Sequence, residues 1–328
     1  MSEIITMGEA MAMFVADDEA PLSQVNHFTK YLAGAEVNVS IGVSRLGHTI
    51  SYLSQVGRDP FGEYIKCMLE KEHISTDFIK VNDEHPTGFQ IKNKTSATDP
   101  EVVYFRKNTA ASTIDPAFIN QFDFTGAKIL HVTGIFPALS DETFQATLQA
   151  IQKAKQNQML VTFDPNLRPS LWKSKEDMVR KINLLAEKCD VFMPGFKEAK
   201  RLTGLSTKEE IANHYLAKGI KKIIIKLGTT GSYMKEQKTQ DSETFVKSFT
   251  VQPVDTVGAG DGFAVGILTG LLEGLSPSAL LTRANAIGAI QVTHISDNEG
   301  LPTRDELDHF IASLSKKGVN SYEVTSGH

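Results

Sequence analysis

The sequence predicts an α/β protein built on a mostly parallel β-sheet with helices on both faces. Three observations carry this prediction. Short apolar runs of strand length recur, each run ends at a glycine or a polar turn, and stretches of helical spacing fill the intervals. Strands that alternate with helices read as βαβ units.

The first run is Ile4–Met7, before Gly8. A helical pattern over Asn38–Leu46 leads to Ile50–Val56, before Gly57, and Phe61–Glu72 is again helical. Then come Ile129–Val132 before Gly134, the helix Asp141–Gln156, Met159–Phe163 before Asp164, and the helix Lys175–Lys188. Val191–Met193 before Gly195, the helix Lys208–Lys218 and Ile223–Leu227 before Gly228 complete the alternation. Open parallel sheets bind ligands outside the carboxyl ends of their strands. The segments after Gly8, Gly57, Val132, Phe163, Met193 and Leu227 are therefore expected to converge on one crevice. A last apolar helix runs from Phe263 to Leu275. Glycines 262, 266 and 270 form one stripe on it, which reads as close packing against a neighbouring element.

Two regions, Ala12–Tyr31 and Thr87–Arg106, break the alternation. The second reads as a hairpin: Gly88–Lys94, a turn at Ala97-Thr98-Asp99-Pro100, then Glu101–Lys107. Period two puts Val102, Tyr104 and Arg106 on one face and Val103 and Phe105 on the other. That first face is either a solvated edge or the inside of a lid that brings a cation and a phenol to a ligand.

Composition narrows the class. With 41% hydrophobic and 22% charged residues, the 328-residue chain falls among ordinary soluble globular proteins. A net charge of −5 without a basic block argues against a nucleic-acid partner. Cys67 and Cys189 fit no metal or redox spacing, which suggests a reducing compartment. The run from Phe263 to Leu275 is too short to cross a bilayer, and the N-terminus lacks a signal-like segment. A cytoplasmic enzyme is the expected class. The polar stretch from Lys316 to His328 reads as a frayed tail.

The most informative segment is Asp255-Thr256-Val257-Gly258-Ala259-Gly260-Asp261, just before the apolar helix. Small residues let backbone N–H groups wrap an anion, and the helix start adds its unpaired donors and positive dipole end. A carboxylate beside an anion site is a poor choice for binding alone. It suits a base that takes a proton from a hydroxyl while the site holds a phosphoryl group. Asp261 as a plain helix cap is the competing reading. A dinucleotide fingerprint fits badly, because G-x-G-x-x-G is missing.

Two marks give the chain a resemblance to the ribokinase-like (pfkB) carbohydrate kinases from Ile4 to about Leu314. One is Ala33-Gly34-Ala35-Glu36-Val37-Asn38-Val39-Ser40 with Leu46-Gly47 and Val56-Gly57-Arg58-Asp59-Pro60-Phe61-Gly62. The other is Asp255 to Asp261. The resemblance implies a three-layer α/β/α sandwich over residues 1–315, with a mostly parallel central sheet. It also implies a small β-sheet lid, from insertions at about 12–31 and 87–107, and a tail over 316–328.

It further implies MgATP-dependent phosphorylation of a primary hydroxyl. Asp261 would be the base, with an ordinary carboxylate pKa of about 3.9, and the N–H groups of Gly258, Ala259 and Gly260 the anion hole. Lys226, Gly228 and Gly231 match the nucleotide loop, together with Gly258 and Gly260, and Asn285 and Gly288 match the adenine pocket. Glu198 matches the Glu of an Asn-x-x-Glu motif that orders Mg²⁺ through water, although Gly195 stands where Asn is usual. Ala33, where Gly is usual, is a small departure. A monovalent cation, K⁺, is implied near Asp255.

For the substrate, the early stretch Gly8-Glu9-Ala10-Met11-Ala12-Met13-Phe14-Val15-Ala16 lacks the Asp that many relatives use for sugar hydroxyls. Tyr104, Arg106 and Arg168 instead suit a substrate with a carboxylate, which Arg grips with a bidentate fork. Together with Val103-Tyr104-Phe105-Arg106 and Asn166-Leu167-Arg168, the set resembles the family's 2-keto-3-deoxygluconate kinases. By that resemblance Gly34 and Asn38 hold hydroxyls and the 6-hydroxyl faces Asp261. Phe89 takes a substrate-side position where Tyr is frequent. Arg168 as a strand cap or phosphate ligand and Tyr104 as lid packing remain open. So do a fructokinase-like activity and a non-catalytic sugar sensor. His27, His131 and His294 read as structural, and Trp172 as packing on the sheet. Relatives often pair lid strands between subunits, so a homo-oligomer is expected, with Glu101–Lys107 as the template edge.

Overall fold

The computed structural model describes residues 2–95, 101–237, 242–294 and 297–316. The turn at 97–100 and the tail beyond 316 lie outside them. In chain order the strands are β1 (Ile4–Met7), β2 (Met11–Ala16), β3 (Phe28–Ala33), β4 (Ile50–Gly57), β5 (Ile79–Asn82), β6 (Phe89–Lys92) and β7 (Val102–Phe105). They continue with β8 (Ile129–Thr133), β9 (Leu160–Asp164), β10 (Val191–Phe192), β11 (Lys222–Lys226), β12 (Gly231–Glu236) and β13 (Ser242–Lys247). The helices are α1 (Ala35–Arg45), α2 (Pro60–Lys71), α3 (Pro116–Asn120), α4 (Asp141–Gln156), α5 (Lys175–Ala186), α6 (Phe196–Thr203), α7 (Lys208–Ala217), α8 (Ala259–Leu272), α9 (Pro277–Gln291) and α10 (Arg304–Lys316).

The large sheet has the order β13-β12-β11-β10-β9-β8-β1-β4-β5. It is parallel from β5 to β11, and β12 and β13 run antiparallel at one edge. Alternate strand residues feed two cores. Ile5, Met7, Leu130, Phe163 and Ile225 join α4, α5 and α7 on one face. Ile4, Tyr52, Ile129 and Ile224 join α1, α2, α8 and α9 on the other. Burial on both faces explains why these strands read as continuous apolar runs rather than alternating ones. The result is the three-layer sandwich that the strand–helix alternation predicts.

Local chemistry sets the helix boundaries. Ser140 caps α4 through a capping box with Thr143, and Asp59 caps α2, with Pro60 as its first residue. The Gly262, Gly266 and Gly270 stripe packs on α9: a Cβ at Gly266 would lie 2.4 Å from the Cα of Ala284.

The two irregular regions form a separate sheet, β3-β2-β6-β7, lying over the strand ends. Its outer face holds an aromatic cluster. Phe89 stacks on Phe105 with centroids 4.5 Å apart, and Phe61 bridges Phe89 and Phe14. The segment after Gly57 does not reach the crevice. Asp59 and Gly57 instead bond Thr87 at the start of β6, which anchors the lid.

Candidate active site

The strand ends and the lid enclose a cavity of about 640 Å³, and beside it lies a second of about 440 Å³. Lys226, Thr256 and Gly260 line both, so the two meet at the anion-site turn. Of the expected residues, Gly34, Asn38, Tyr104, Arg106, Arg168, Glu198, Gly258 and Asp261 line the first. Gly228, Gly231, Ala259, Asn285 and Gly288 line the second.

Asp261 sits in the first turn of α8, after Gly258 at the helix cap with φ +80°. Gly258 has no alternative there, because a Cβ would lie 2.3 Å from the backbone oxygen of Asp297. Asp261 is buried and accepts hydrogen bonds from Asn38 Nδ2 (2.8 Å) and Asn166 Nδ2 (3.3 Å). Burial raises its pKa to about 7, with Asp164 and Glu36 adding to the rise against Asn38 and Arg168. The ordinary carboxylate value expected from sequence is therefore corrected: burial makes Asp261 a much better base.

Lys226, at the end of β11, donates to Asp164 Oδ2 at 2.6 Å. Burial opposes its charge, but Asp164, Glu198 and Asp261 around it hold its pKa above the usual lysine value. Glu198 accepts from Leu167 N and Gly195 N, both at 2.7 Å. Gly195 is thus the cap of α6, with Glu198 folded back onto the helix start as Glu210 is at Thr207. Both Glu198 oxygens are held by backbone, each has a further lone pair, and the residue lines the first cavity. That fits Mg²⁺ held through its waters better than a direct cage. Among the described residues no group of three or more His, Cys, Asp or Glu is placed to hold a metal ion.

One expected residue needs correction, and the surroundings of another are now defined. Phe89 faces the outer aromatic cluster, and the inward residues of β6 are Gln90 and Lys92. The reason is the period-two alternation of a strand. Asp255, expected near a monovalent cation, has both oxygens engaged: Oδ1 accepts from Val257 N and Oδ2 from Lys92 Nζ, each at 3.0 Å.

The nucleotide-side glycines act mainly through backbone shape. Gly228 has φ +62°, and a Cβ at Gly231 would lie 2.1 Å from Val246 O. Asn285 donates to Val246 O and Lys247 O, which fixes the end of β13 over the second cavity.

Sequence reasoning missed Glu9. It follows β1, is 2% exposed, and receives Arg106 Nη2 at 2.6 Å and Arg106 Nε at 2.7 Å. Gly88 makes room for it, since a Cβ there would lie 2.8 Å from Glu9 Oε1. Its signal was present in the early stretch, where a Glu stands two residues past the strand end, after Gly8. Glu9 neutralises Arg106, which also lies over the Tyr104 ring at 5.6 Å. Arg168 is exposed, lines the first cavity and, among the described residues, bonds the local carbonyls of Asn166 and Leu167 through Nη1. Glu36, beneath Gly8, is also buried and accepts from Thr133; burial raises its pKa to about 7. His131 and Trp172 are buried in the cores.

Comparison with known proteins gives a consistent result. Residues 1–304 match the pfkB family carbohydrate kinase pattern. The chain is 46% identical to the 2-dehydro-3-deoxygluconokinase of Bacillus subtilis (strain 168), over 95% of this chain and 96% of that one. The PfkB protein from Polaromonas sp. JS666 superposes with a TM-score of 0.86 at 38% identity, covering 94% of this chain and 99% of that chain. A putative Ribokinase II in complex with ATP and Mg²⁺ from E. coli has a TM-score of 0.86 at 26% identity, with 95% and 100% covered.

Proposed function

The chain belongs to the pfkB family of carbohydrate kinases, and from that premise we propose that it phosphorylates 2-keto-3-deoxygluconate at the 6-hydroxyl, using MgATP. The observation that carries the substrate is the polarity of the first cavity. It holds the open guanidinium of Arg168 together with the nearly neutralised Arg106–Glu9 pair and Tyr104. A neutral hexose gives Arg168 no counter-charge. A 2-keto acid does, and its carboxylate forms a forked ion pair. The activity of the Bacillus subtilis relative points the same way.

Asp261 acts as the base. At about 7 its pKa is matched to a neutral medium, so it takes the hydroxyl proton as the nucleophile bonds to phosphorus. Asn38 and Asn166 aim its two oxygens. The N–H groups of Gly258, Ala259 and Gly260 receive the charge that develops on the phosphoryl group, where a single such donor typically contributes about 10²–10³ in rate. Lys226 adds positive charge at the junction of the two cavities. Bound Mg²⁺ supplies charge neutralisation on the phosphates, and Glu198 would hold its waters, with Asp164 beside it. The nucleotide base would lie in the second cavity, between Phe249, Asn285 and Gly288. In this reading the Lys92 ammonium stands at the Asp255 carboxylate, beside which the resemblance implies K⁺.

One kinase domain over 1–315 with a tail over 316–328, and a cytoplasmic location, complete the reading. Among the described residues no helix is long and apolar enough to cross a membrane. The outer lid face exposes Val103 and Phe105 beside the β7 edge, which supports assembly of copies through their lids.

The deciding experiment measures ADP release with MgATP, comparing 2-keto-3-deoxygluconate with fructose over a range of concentrations. The expected result is a kcat/KM for the keto acid well above that for fructose. An equal or higher value for fructose would overturn the substrate and return Arg168 to a phosphate-binding or structural role.

A further inference from the structure

Lys92 has no part in the scheme above, yet it is one of the most constrained charges in the molecule. It comes from lid strand β6, its side chain is 7% exposed, and its ammonium lies 3.0 Å from Asp255 Oδ2 and 3.5 Å from Asp297 Oδ1. Lysine normally keeps its ammonium in water, and a buried one survives only with compensating carboxylates. Here the two carboxylates belong to residues that each adjoin the anion-site turn. The other Asp255 oxygen accepts from Val257 N, one residue before Gly258. The Asp297 backbone oxygen packs where a Gly258 Cβ would be. The next residue, Asn298, donates to Asn38 Oδ1, and Asn38 in turn donates to Asp261. Without an intervening cation, Asp255 and Asp297 would repel each other across the turn; Asp297 already has a raised pKa, from burial first and with Asp255 contributing.

We propose that Lys92 is a positioning residue, an internal cation delivered by the lid that holds Asp255 and Asp297 together and so sets the Gly258–Asp261 turn for phosphoryl transfer. The lid strand that brings Gln90 to the sugar cavity thereby also organises the anion hole. A chain with its own ammonium at this point needs no monovalent ion there. This inference rests on the kinase reading of Asp261 and its turn, and is independent of which sugar is phosphorylated.

The test uses the full chain with whichever sugar acid or sugar supports ADP release by the unaltered protein. Lys92→Met, which keeps the stem and removes the charge, is compared with Lys92→Arg, at constant ionic strength in sodium, potassium or methylammonium chloride. Lys92→Met is expected to lower kcat about 10- to 100-fold, the scale of a small misplacement of catalytic groups. KM for both substrates should change little, and Lys92→Arg should recover most of the lost kcat. The unaltered protein should respond equally to sodium and potassium. Hydrogen exchange of residues 255–261, which needs no sugar, should quicken in Lys92→Met.

Three results would overturn the proposal. One is an unchanged kcat in Lys92→Met. Another is a loss confined to KM for the sugar, which would make Lys92 a substrate ligand. The third is strong stimulation of the unaltered protein by potassium over sodium, which decides the matter even if Lys92→Met does not fold. Failure of 2-keto-3-deoxygluconate as a substrate would show in the unaltered protein alone and would leave the Lys92 comparison intact.

Discussion

The two adjoining cavities are built by opposite strategies. The second, on the nucleotide side, is lined almost wholly from one stretch of chain, Lys226 to Val292, and largely by small or apolar residues and backbone. The first gathers residues from Glu9 to Asp297, from both sheets, and fills with paired charges: Glu9 with Arg106, Asp164 with Lys226, Lys92 with Asp297. The contrast teaches where specificity resides. A common donor needs a shape and a few N–H groups. On the proposed reading, one sugar acid among many needs paired charges around it and an open one, Arg168, to meet its carboxylate.

The comparison breaks most sharply at Asp261, which lines the first cavity next to Gly260, a residue of both. Asp261→Asn is expected to reduce kcat by about 10³-fold or more, with binding of ATP, measured by calorimetry, nearly unchanged. A kcat within about tenfold of the original would remove the base. Because the folded pKa of Asp261 is raised, to about 7, the folded state binds its proton more tightly than the unfolded chain does. Its ionisation therefore costs stability as pH climbs from the unfolded carboxylate range toward 7. Rate and stability should move oppositely: kcat/KM rises with pH through about 7, while Asp261→Asn gains thermal stability relative to the parent most clearly above it. A pH–rate profile that is flat from 5 to 8 would contradict this assignment.

Arg168→Ala sharpens the contrast next. KM for the keto acid should rise about 10- to 100-fold, as expected for loss of a forked ion pair, and KM for ATP should not follow. Equal rises in both would mean that Arg168 serves phosphate. Gly288→Val is the mirror experiment on the nucleotide side. Its Cβ would lie 3.2 Å from Ala259 O and its methyl groups would crowd the second cavity, so KM for ATP should rise by roughly tenfold while that for the sugar acid holds. The smallest effect is expected for Phe89→Leu, a change on the outer lid face. KM for the sugar acid should stay within about twofold, at a stability cost of about 1 kcal/mol for the lost ring stacking. A large KM change would return Phe89 to the substrate side.

Much of this could be read from the chain because the features are local. The strands ending at Gly8, Gly57 and Gly195 are apolar on both faces, and Asp255 to Asp261 is contiguous, so composition and spacing expose them. The strands β5, β12 and β13 and the helices α3, α6, α9 and α10 were less legible. Short elements such as β5 and α3 carry too little pattern, and β12 and α9 are buried too evenly to show a period, so tertiary pairing decides their state. Phe89 and Gln90 show the same limit at the scale of one residue, since a strand's register fixes which neighbour faces inward.

The sequence by itself determined the layered α/β fold, the two family signatures, and the anion-site turn with its carboxylate, because each depends on residues adjacent in the chain or on a repeating period. Only the tertiary structure decided that Glu9 neutralises Arg106, that Lys92 reaches Asp255 and Asp297, and that Asp261 is buried enough to titrate near 7. Each of these joins groups far apart in sequence. Charge pairing and desolvation depend on distance in space and on excluded water, and neither is written in residue order.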